Sequence, residues 1–182
     1  MGKRYAMVID LRTCVGCYAC QVACKSENKV PSSVYRSWME EQETGEFPKV
    51  SRSRWPRLCN HCADPSCVKV CPVEATYQLE DGTVLVNYDK CIHCRRCIVA
   101  CPYKARFLNP VRNTAEKCTY CHERVEAGMQ PACVSTCIAG ARTFGDLNDP
   151  TSAIAQLVAT NPVDVWKPET KNAPQTYYIR PK

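Results

Sequence analysis

Apolar residues occur along this chain in short runs, and these runs predict brief strands. Residues 5–10 (YAMVID) are mostly apolar and predict a strand. Residues 76–89 (TYQLEDGTVLVNYD) alternate between apolar and polar on both sides of Asp81-Gly82. An Asp-Gly step between two alternating runs is a strong hairpin signal, so we expect a β-hairpin there.

Helical patterns in the chain are equally short. Residues 18–29 and 122–129 each predict a short helix, and further helical turns are expected around Cys67 and Cys97. A last helix is expected over residues 152–160. The pattern therefore predicts a mixture of short strands, short helices and long loops.

The composition shows that aliphatic side chains alone cannot hold such elements together. Of the 182 residues only 34 are Leu, Ile, Val or Phe, whereas 16 are Cys. So small an aliphatic share is typical of disorder when the net charge is high, but the net charge here is only +6. The cysteines must therefore stabilise the fold, either as disulfides or as metal ligands.

Other features of the sequence exclude several classes of protein. The first 14 residues are too interrupted for the apolar region of a signal peptide, and no stretch approaches the roughly 18 apolar residues that span a bilayer. We expect a soluble protein, or one attached to a membrane only through a partner. The arginines at 52–57 and at 95–96 cluster too weakly for a nucleic-acid-binding arm.

The cysteines fall into four groups of four, with none left over. Groups one and three have the spacing C-x2-C-x2-C-x3-C. In group two the second gap is widened to four residues, and in group four it is widened to 11 residues. A proline follows groups two and three. The members are, in order, Cys14, Cys17, Cys20 and Cys24; Cys59, Cys62, Cys67 and Cys71; Cys91, Cys94, Cys97 and Cys101; and Cys118, Cys121, Cys133 and Cys137.

The spacing C-x2-C-x2-C-x3-C-P is typical of bacterial ferredoxins. Three thiolates on a tight loop can bind three irons of a cubane, and the fourth cysteine, about one helical turn further on, points to a second cluster. Sixteen cysteines at four for each cluster predict four [4Fe–4S] clusters. Disulfides are disfavoured because residues three apart in a loop point at one centre.

Zinc is the competing metal, because paired C-x2-C steps also build sites with four cysteine ligands. Zinc needs only two such pairs, however, and requires neither the third cysteine nor the trailing C-x3-C-P. The complete ferredoxin spacing therefore favours iron–sulfur clusters over zinc.

The groups and an internal repeat predict an α+β fold with two bacterial-ferredoxin-like halves. Related phrases follow the last cysteine of three groups: CPVEATY, CPYKARF and CIAGARTF. Residues 1–30 with 108–146 are expected to form one half, around groups one and four, and residues 55–107 the other. Residues 31–54 are expected to be a connecting loop. Residues 147–182 contain several prolines and are expected to be an extended tail that docks on a partner.

Three stretches of the sequence resemble a known family. The opening YAMVIDLRTCVGCYACQVACKSEN, the phrase CTYCHERVEAGMQPACVSTC and the following FGDLNDP are similar to the iron–sulfur subunits of the dimethyl sulfoxide reductase superfamily. Among these the chain is most similar to the electron-transfer subunits of polysulfide, thiosulfate and arsenate reductases.

This resemblance implies a ligand set for each of four [4Fe–4S] clusters. Each set joins three cysteines of one group with the last cysteine of another. The implied sets are Cys14, Cys17, Cys20 and Cys137; Cys24, Cys118, Cys121 and Cys133; Cys59, Cys62, Cys67 and Cys101; and Cys71, Cys91, Cys94 and Cys97.

Polar residues beside the cysteines are candidates for tuning a cluster. Arg95, Arg96, Lys104 and Arg106 lie beside group three, where a cation would stabilise a reduced cluster. They could equally form a solvated or docking face. Three histidines, His61, His93 and His122, lie inside cysteine motifs and are either tuning residues or ordinary loop residues; His93 is kept as a tuning candidate.

The sequence holds no catalytic constellation, so the expected function is electron transfer without catalysis by the chain itself. The resemblance implies relay between a membrane quinol-binding subunit and a molybdopterin catalytic subunit. It also implies a position on the outer, periplasmic face of the bacterial cytoplasmic membrane, reached by export together with a partner, with the cytoplasmic face as the alternative. Two other readings stay open: a free polyferredoxin or a subunit of another oxidoreductase complex, and, more remotely, a zinc-binding nucleic-acid module.

Overall fold

A computed structural model describes residues 2–181 of the chain. Ten short strands are distributed over four separate sheets, so the fold is α+β with small layers, as expected. The strands are β1 (Tyr5–Asp10), β2 (Ser37–Glu46), β3 (Lys49–Leu58), β4 (Thr76–Gln78), β5 (Val84–Val86), β6 (Phe107–Leu108), β7 (Ala115–Glu116), β8 (Arg142–Asp146), β9 (Asp164–Val165) and β10 (Thr176–Ile179).

The helices are short, and most have only one or two turns. Most of them lie where the sequence pattern predicted them, within the cysteine groups and at the start of the C-terminal segment. The helix around Cys133 and the 3₁₀ helix were not predicted. The helices are α1 (Ala19–Glu27), α2 (Ser66–Lys69), α3 (Arg96–Val99), α4 (His122–Glu126), α5 (Ala132–Ser135) and α6 (Ala153–Thr160), with a 3₁₀ helix at Pro168–Thr170. None of the helices in residues 2–181 has the length and apolar character required to cross a bilayer.

The largest sheet brings together distant parts of the chain. Its strand order is β8-β1-β10-β9, with β1 antiparallel to β8 and parallel to β10. Met7 of β1 therefore lies opposite Phe144 of β8 and Thr176 of β10. The predicted hairpin at Asp81-Gly82 is also present, as β4 and β5.

Strand β1 is buried on both faces, which explains its apolar run. Met7 and Ile9 face the core that contains the cysteines, whereas Ala6 and Val8 face a smaller apolar cluster under α6. Ile154 of α6 is fully buried in that second cluster. The Oγ of Ser152 accepts a hydrogen bond from the N–H of Ala155 and so caps the helix.

Residues 31–54, expected to be a connecting loop, instead supply most of a long hairpin. Strands β2 and β3 pair over ten residues each, and the far end of the hairpin is exposed on both faces. The sequence showed no alternation of apolar and polar residues here, because the cross-strand pairs are charged: Glu41 lies opposite Arg54, and Glu43 opposite Arg52. Opposite charges across an antiparallel pair stabilise it without an apolar face.

Residues 147–182 also differ from the extended tail that the prolines suggested. After α6 the chain returns to the large sheet as β10, where Tyr178 and Ile179 are buried. Tyr178 packs beside Trp55 of the hairpin, and its hydroxyl donates to the carbonyl of Pro56. The segment is therefore largely part of the chain's own fold.

We predict that Ile154→Ala lowers the free energy of unfolding by about 2–5 kcal/mol, because the fully buried side chain would leave a cavity between α6 and β1. The matched control is Ile138→Ala, since Ile138 is 80% exposed, and its effect should stay within about 0.5 kcal/mol. Denaturant titration of anaerobically prepared protein, followed by circular dichroism, measures both. Equal losses for the two variants would contradict the packing of α6.

Candidate metal centres

Three cavities are each lined by four cysteines. We number them by their place in the chain, and their empty volumes, which include space open to solvent, are about 350, 300 and 360 Å³. The first is lined by Cys14, Cys17, Cys20 and Cys137; the second by Cys24, Cys118, Cys121 and Cys133; and the third by Cys59, Cys62, Cys67 and Cys101.

In each cavity three cysteines come from one sequence group and the fourth is the last cysteine of another group. Within residues 2–181 no three His, Cys, Asp or Glu side chains converge as they would on a single metal ion. The thiols stand around a space instead, which suits a polynuclear group.

The other four cysteines, Cys71, Cys91, Cys94 and Cys97, lie outside these three cavities. Cys94 is exposed and Cys97 is buried on α3. Cys71 follows α2, which packs against α3, and its Sγ accepts the backbone N–H of Thr76 at 3.4 Å. We call these four cysteines the fourth set.

The four cysteine groups share one backbone feature. The residue directly before the second cysteine of every group has a positive φ: Gly16 (68°), His61 (40°), His93 (59°) and Tyr120 (56°). Left-handed residues bend a loop so that successive N–H groups can face a common anion, as they do around many iron–sulfur clusters. The repeated turn therefore favours anionic groups inside all four loops.

Burial favours the protonated form of several metal-free thiols by raising their pKa values. It raises the pKa of Cys24 to about 12, and the neighbouring thiols Cys133 and Cys121 act in the same direction. The pKa of Cys118 is raised well above its ordinary value, again mainly by burial. Because metals bind thiolates, loading these cavities must release protons.

Buried N–H groups without a partner test whether a cluster fits the cavities. Arg142 lines the first cavity and Arg106 the third, and each has two guanidinium nitrogens with no hydrogen-bond partner in residues 2–181. His61 also lines the third cavity, and its Nε2 has no such partner. Leaving buried donors unpaired costs about 1–3 kcal/mol each. The sulfides and thiolates of a [4Fe–4S] cluster would accept these N–H groups, so the residues fit that cofactor.

His61 is held as a neutral ring. The N–H of Val84 donates to its Nδ1 at 3.0 Å, so the ring proton of the neutral form lies on Nε2. Burial lowers its pKa well below the ordinary value, and the nearby Lys117 charge lowers it further. The ring stacks on Tyr120, with centroids 3.7 Å apart.

The tuning candidates are placed unequally. His93, Arg95, Arg96 and Lys104 are exposed, whereas Arg106 is only 4% exposed. Exposed cations are screened by solvent and salt, so they affect a cluster less than a buried cation does.

Sequence reasoning missed three further cations that are buried beside these cavities, Arg36, Lys117 and Arg142. One signal was available in the repeat, since Arg106 and Arg142 each stand five residues after the last cysteine of their group, at the same step of CPYKAR and CIAGAR. Arg36 and Lys117 have no comparable signal.

Arg36 is fixed by a buried ion pair at the second cavity. Its Nε donates to the Oε1 of Glu116 at 2.7 Å, and its Nη1 donates to the Oδ1 of Asn28 at 2.6 Å. The Nδ2 of Asn28 in turn donates to the carbonyl oxygen of Cys24 at 3.0 Å. The pair therefore ties β7 to the end of α1 and to a cysteine that lines this cavity.

Comparison with protein families identifies iron–sulfur domains over most of the chain. Residues 50–147 match the family described as a 4Fe-4S dicluster domain, and residues 12–33 match a 4Fe-4S binding domain. The four cysteine groups all lie within these two matched segments.

Curated relatives align with nearly the whole chain. A tetrathionate reductase subunit of Salmonella typhimurium is 47% identical over 180 residues, which are 97% of this chain and 72% of the relative. A polysulfide reductase subunit of Wolinella succinogenes is 41% identical over 182 residues, 98% of this chain and 95% of the relative. A selenate reductase subunit of Mesobacillus selenatarsenatis is 41% identical over 210 residues, 97% of this chain and 72% of the relative.

We predict that Glu116→Gln destabilises the protein by about 3 kcal/mol, because it leaves the Arg36 guanidinium buried without its counter-charge. Glu43→Gln breaks an exposed pair with Arg52 and should cost less than about 1 kcal/mol. Unfolding of the two variants in denaturant, at matched iron content, gives the comparison. Similar losses of stability in the two variants would show that the buried pair stabilises the protein no more than the exposed pair does.

Proposed function

Because the chain belongs to the family of iron–sulfur subunits of the dimethyl sulfoxide reductase superfamily, we propose that it relays electrons between a membrane quinol-binding subunit and a molybdopterin catalytic subunit. It is an electron-transfer subunit of a multi-subunit reductase and does not carry the catalytic site itself. Its sixteen cysteines fit four [4Fe–4S] clusters.

The observation that carries this proposal is the set of three cavities of similar size, each lined by four cysteines. When bound, each cluster would supply a site that accepts and donates one electron. The chain's residues fix the positions of these sites, exclude water from them and surround them with oriented N–H groups.

We also propose the four ligand sets as Cys14, Cys17, Cys20 and Cys137 for the first cluster; Cys24, Cys118, Cys121 and Cys133 for the second; Cys59, Cys62, Cys67 and Cys101 for the third; and the fourth set for the last. The cavity linings support the first three sets. The proximity of α2 and α3 supports the fourth. The first and second clusters then define one ferredoxin-like half, and the third and fourth define the other.

The two outer sites have the features of docking ends. Cys17 is exposed at the first site, where Val15 and Ile138 are 57% and 80% exposed. Cys94 is exposed at the fourth, where Ile92 and Val99 are 57% and 86% exposed. Apolar surface beside an exposed ligand supports contact with a redox partner at each end. The first end would face the molybdopterin subunit and the fourth the membrane subunit.

The proposed location is the periplasmic face of the cytoplasmic membrane, with attachment through the membrane partner. The similarity to tetrathionate and polysulfide reductase subunits supports membrane association of this kind. The cytoplasmic face is the alternative, and protease digestion of membrane vesicles, described below, distinguishes the two.

We predict that the isolated protein contains about 16 iron and 16 sulfide per chain. Cys101→Ser should then alter the same electron paramagnetic resonance (EPR) signal as Cys59→Ser, because both are proposed ligands of the third cluster. Cys97→Ser should alter a different signal, although Cys97 is nearer to Cys101 in sequence. A shared signal for Cys101→Ser and Cys97→Ser would contradict the exchange of ligands between groups. A colourless protein with about four zinc ions would contradict the clusters themselves.

We predict that the chain is recovered from membranes with a molybdopterin subunit and an integral membrane subunit. A quinol should reduce its clusters anaerobically, and an acceptor such as polysulfide, tetrathionate or thiosulfate should reoxidise them, as visible absorbance will show.

Digestion of the chain by protease in right-side-out but not in inverted membrane vesicles would indicate the periplasmic face, and the reverse would indicate the cytoplasmic face. Recovery of the chain alone, with no response to quinol, would support a free polyferredoxin instead.

A further inference from the structure

Three buried cations occupy the places where neighbouring cluster sites meet. The first is Arg142, which lines the first cavity and is 4% exposed. Its Nη2 donates to the Oγ of Ser37 at 3.1 Å, and Ser37 lines the second cavity. The guanidinium of Arg142 therefore lies between the first and second cavities.

Lys117 has the corresponding position between the second and third cavities. It is 1% exposed, and its Nζ donates to two backbone carbonyl oxygens, those of Val84 and Cys118. Val84 lines the third cavity and Cys118 lines the second. The ammonium group of Lys117 is thus hydrogen-bonded to one residue that lines the third cavity and one that lines the second.

Arg106 lies between the third cavity and the fourth set. It lines the third cavity, and its Nη1 donates to the Oγ1 of Thr76 at 3.1 Å. The backbone N–H of Thr76 donates to the Sγ of Cys71, which belongs to the fourth set. A single threonine therefore connects the guanidinium with a ligand on the far side.

The internal repeat accounts for two of these positions. Arg106, Arg142 and Thr76 all stand five residues after the last cysteine of their groups. That last cysteine is the one that crosses to another site, so the residue five positions later is carried to the boundary between two sites.

The surrounding thiols act on the guanidinium groups from both sides. Burial opposes the charge of Arg142, yet Cys133 of the second cavity and Cys20 of the first raise its pKa above the ordinary value. Burial likewise opposes the charge of Arg106, whereas Cys67 of the third cavity and Cys97 of the fourth set raise its pKa. Each guanidinium therefore lies close to cysteines of two different sites.

We propose that Arg142, Lys117 and Arg106 are junction cations, each shared by two consecutive clusters and each raising the reduction potential of both. They are positioning residues for electron transfer, because they touch the walls of the sites and leave the redox chemistry to the clusters. The proposal rests on the ligand sets given under the proposed function.

The physical argument is that a reduced cluster carries one more negative charge than an oxidised one. A cation buried between two clusters attracts that charge on either side, and no solvent layer screens it. A cation between two sites would attract the electron whether it resided on one cluster or on the other. A guanidinium keeps its charge throughout. Burial lowers the pKa of Lys117, whereas the thiolates of Cys59 and Cys118 would favour its charged form.

The test measures reduction potentials by EPR-monitored redox titration of the whole complex, with signals assigned from the cysteine variants above. Arg142→Gln should lower the equilibrium constant for reduction at least tenfold at both the first and second clusters, which is about 59 mV for one electron. The third and fourth clusters should stay unchanged. Arg106→Gln should shift the third and fourth clusters in the same way, and Lys117→Gln the second and third.

Two controls separate tuning from structural damage. Arg96→Gln removes an exposed cation from the same helix as Cys97. It should change the equilibrium constant for reduction of each cluster by no more than about twofold, because solvent already screens this cation. Arg142→Lys keeps the charge, so the reduction potentials of the first and second clusters should stay close to those of the unaltered protein. Should Arg142→Gln fail to bind iron, the Arg106→Gln and Arg142→Lys titrations still decide the question.

A shift confined to one cluster, or no shift in a variant with full iron and sulfide, would overturn shared junction cations while leaving the electron-transfer function intact. Absence of clusters from the unaltered protein would instead overturn the proposed function. The pairwise pattern of shifts is the supporting result.

Discussion

Twelve of the sixteen cysteines face three cavities, and their side chains occupy positions that aliphatic residues fill in most small domains. The burial of so many thiols makes the metal-free state costly, because each cavity then lacks contacts and leaves guanidinium N–H groups without acceptors. Folding and loading of the metal are therefore coupled, as they are in other small metal-binding domains. The short helices and the sheets are arranged around these cavities, with the large sheet joining the two ends of the chain.

Local patterns in the sequence were sufficient for much of this architecture. Strand β1 was predicted because an apolar run of six residues can lie buried on both faces, and the hairpin at Asp81-Gly82 because its turn residues demand it. The spacing of the cysteines was enough to sort the thiols into their groups. These features share one property, since each is decided by residues close together in the sequence.

The features that were missed depend either on distant contacts or on charged residues in places where apolar ones are expected. Strand β10 is only four residues long, and its parallel pairing with β1 spans nearly the whole chain. The exposed part of the β2–β3 hairpin is formed by charged residues, and a charged sequence of this kind is also typical of a solvated loop. Lys117 and Arg142 were missed for a related reason, because charged residues are almost never fully buried unless something pairs with them. Only the folded structure shows that backbone carbonyl oxygens accept from Lys117 and that the Ser37 hydroxyl accepts from Arg142.

The unequal exposure of the cysteines has a consequence for how the protein ages in air. Cys17 and Cys94 are the exposed members of the outermost sites, whereas Cys118, Cys121 and Cys133 are all buried at the second. Oxidation of cysteine follows accessibility, so dissolved oxidants reach the two ends before the interior. A partner seated over each end would then act as a shield as well as an electron donor or acceptor. Damage in a subunit that has lost its partners would begin at the termini of the relay and proceed inward.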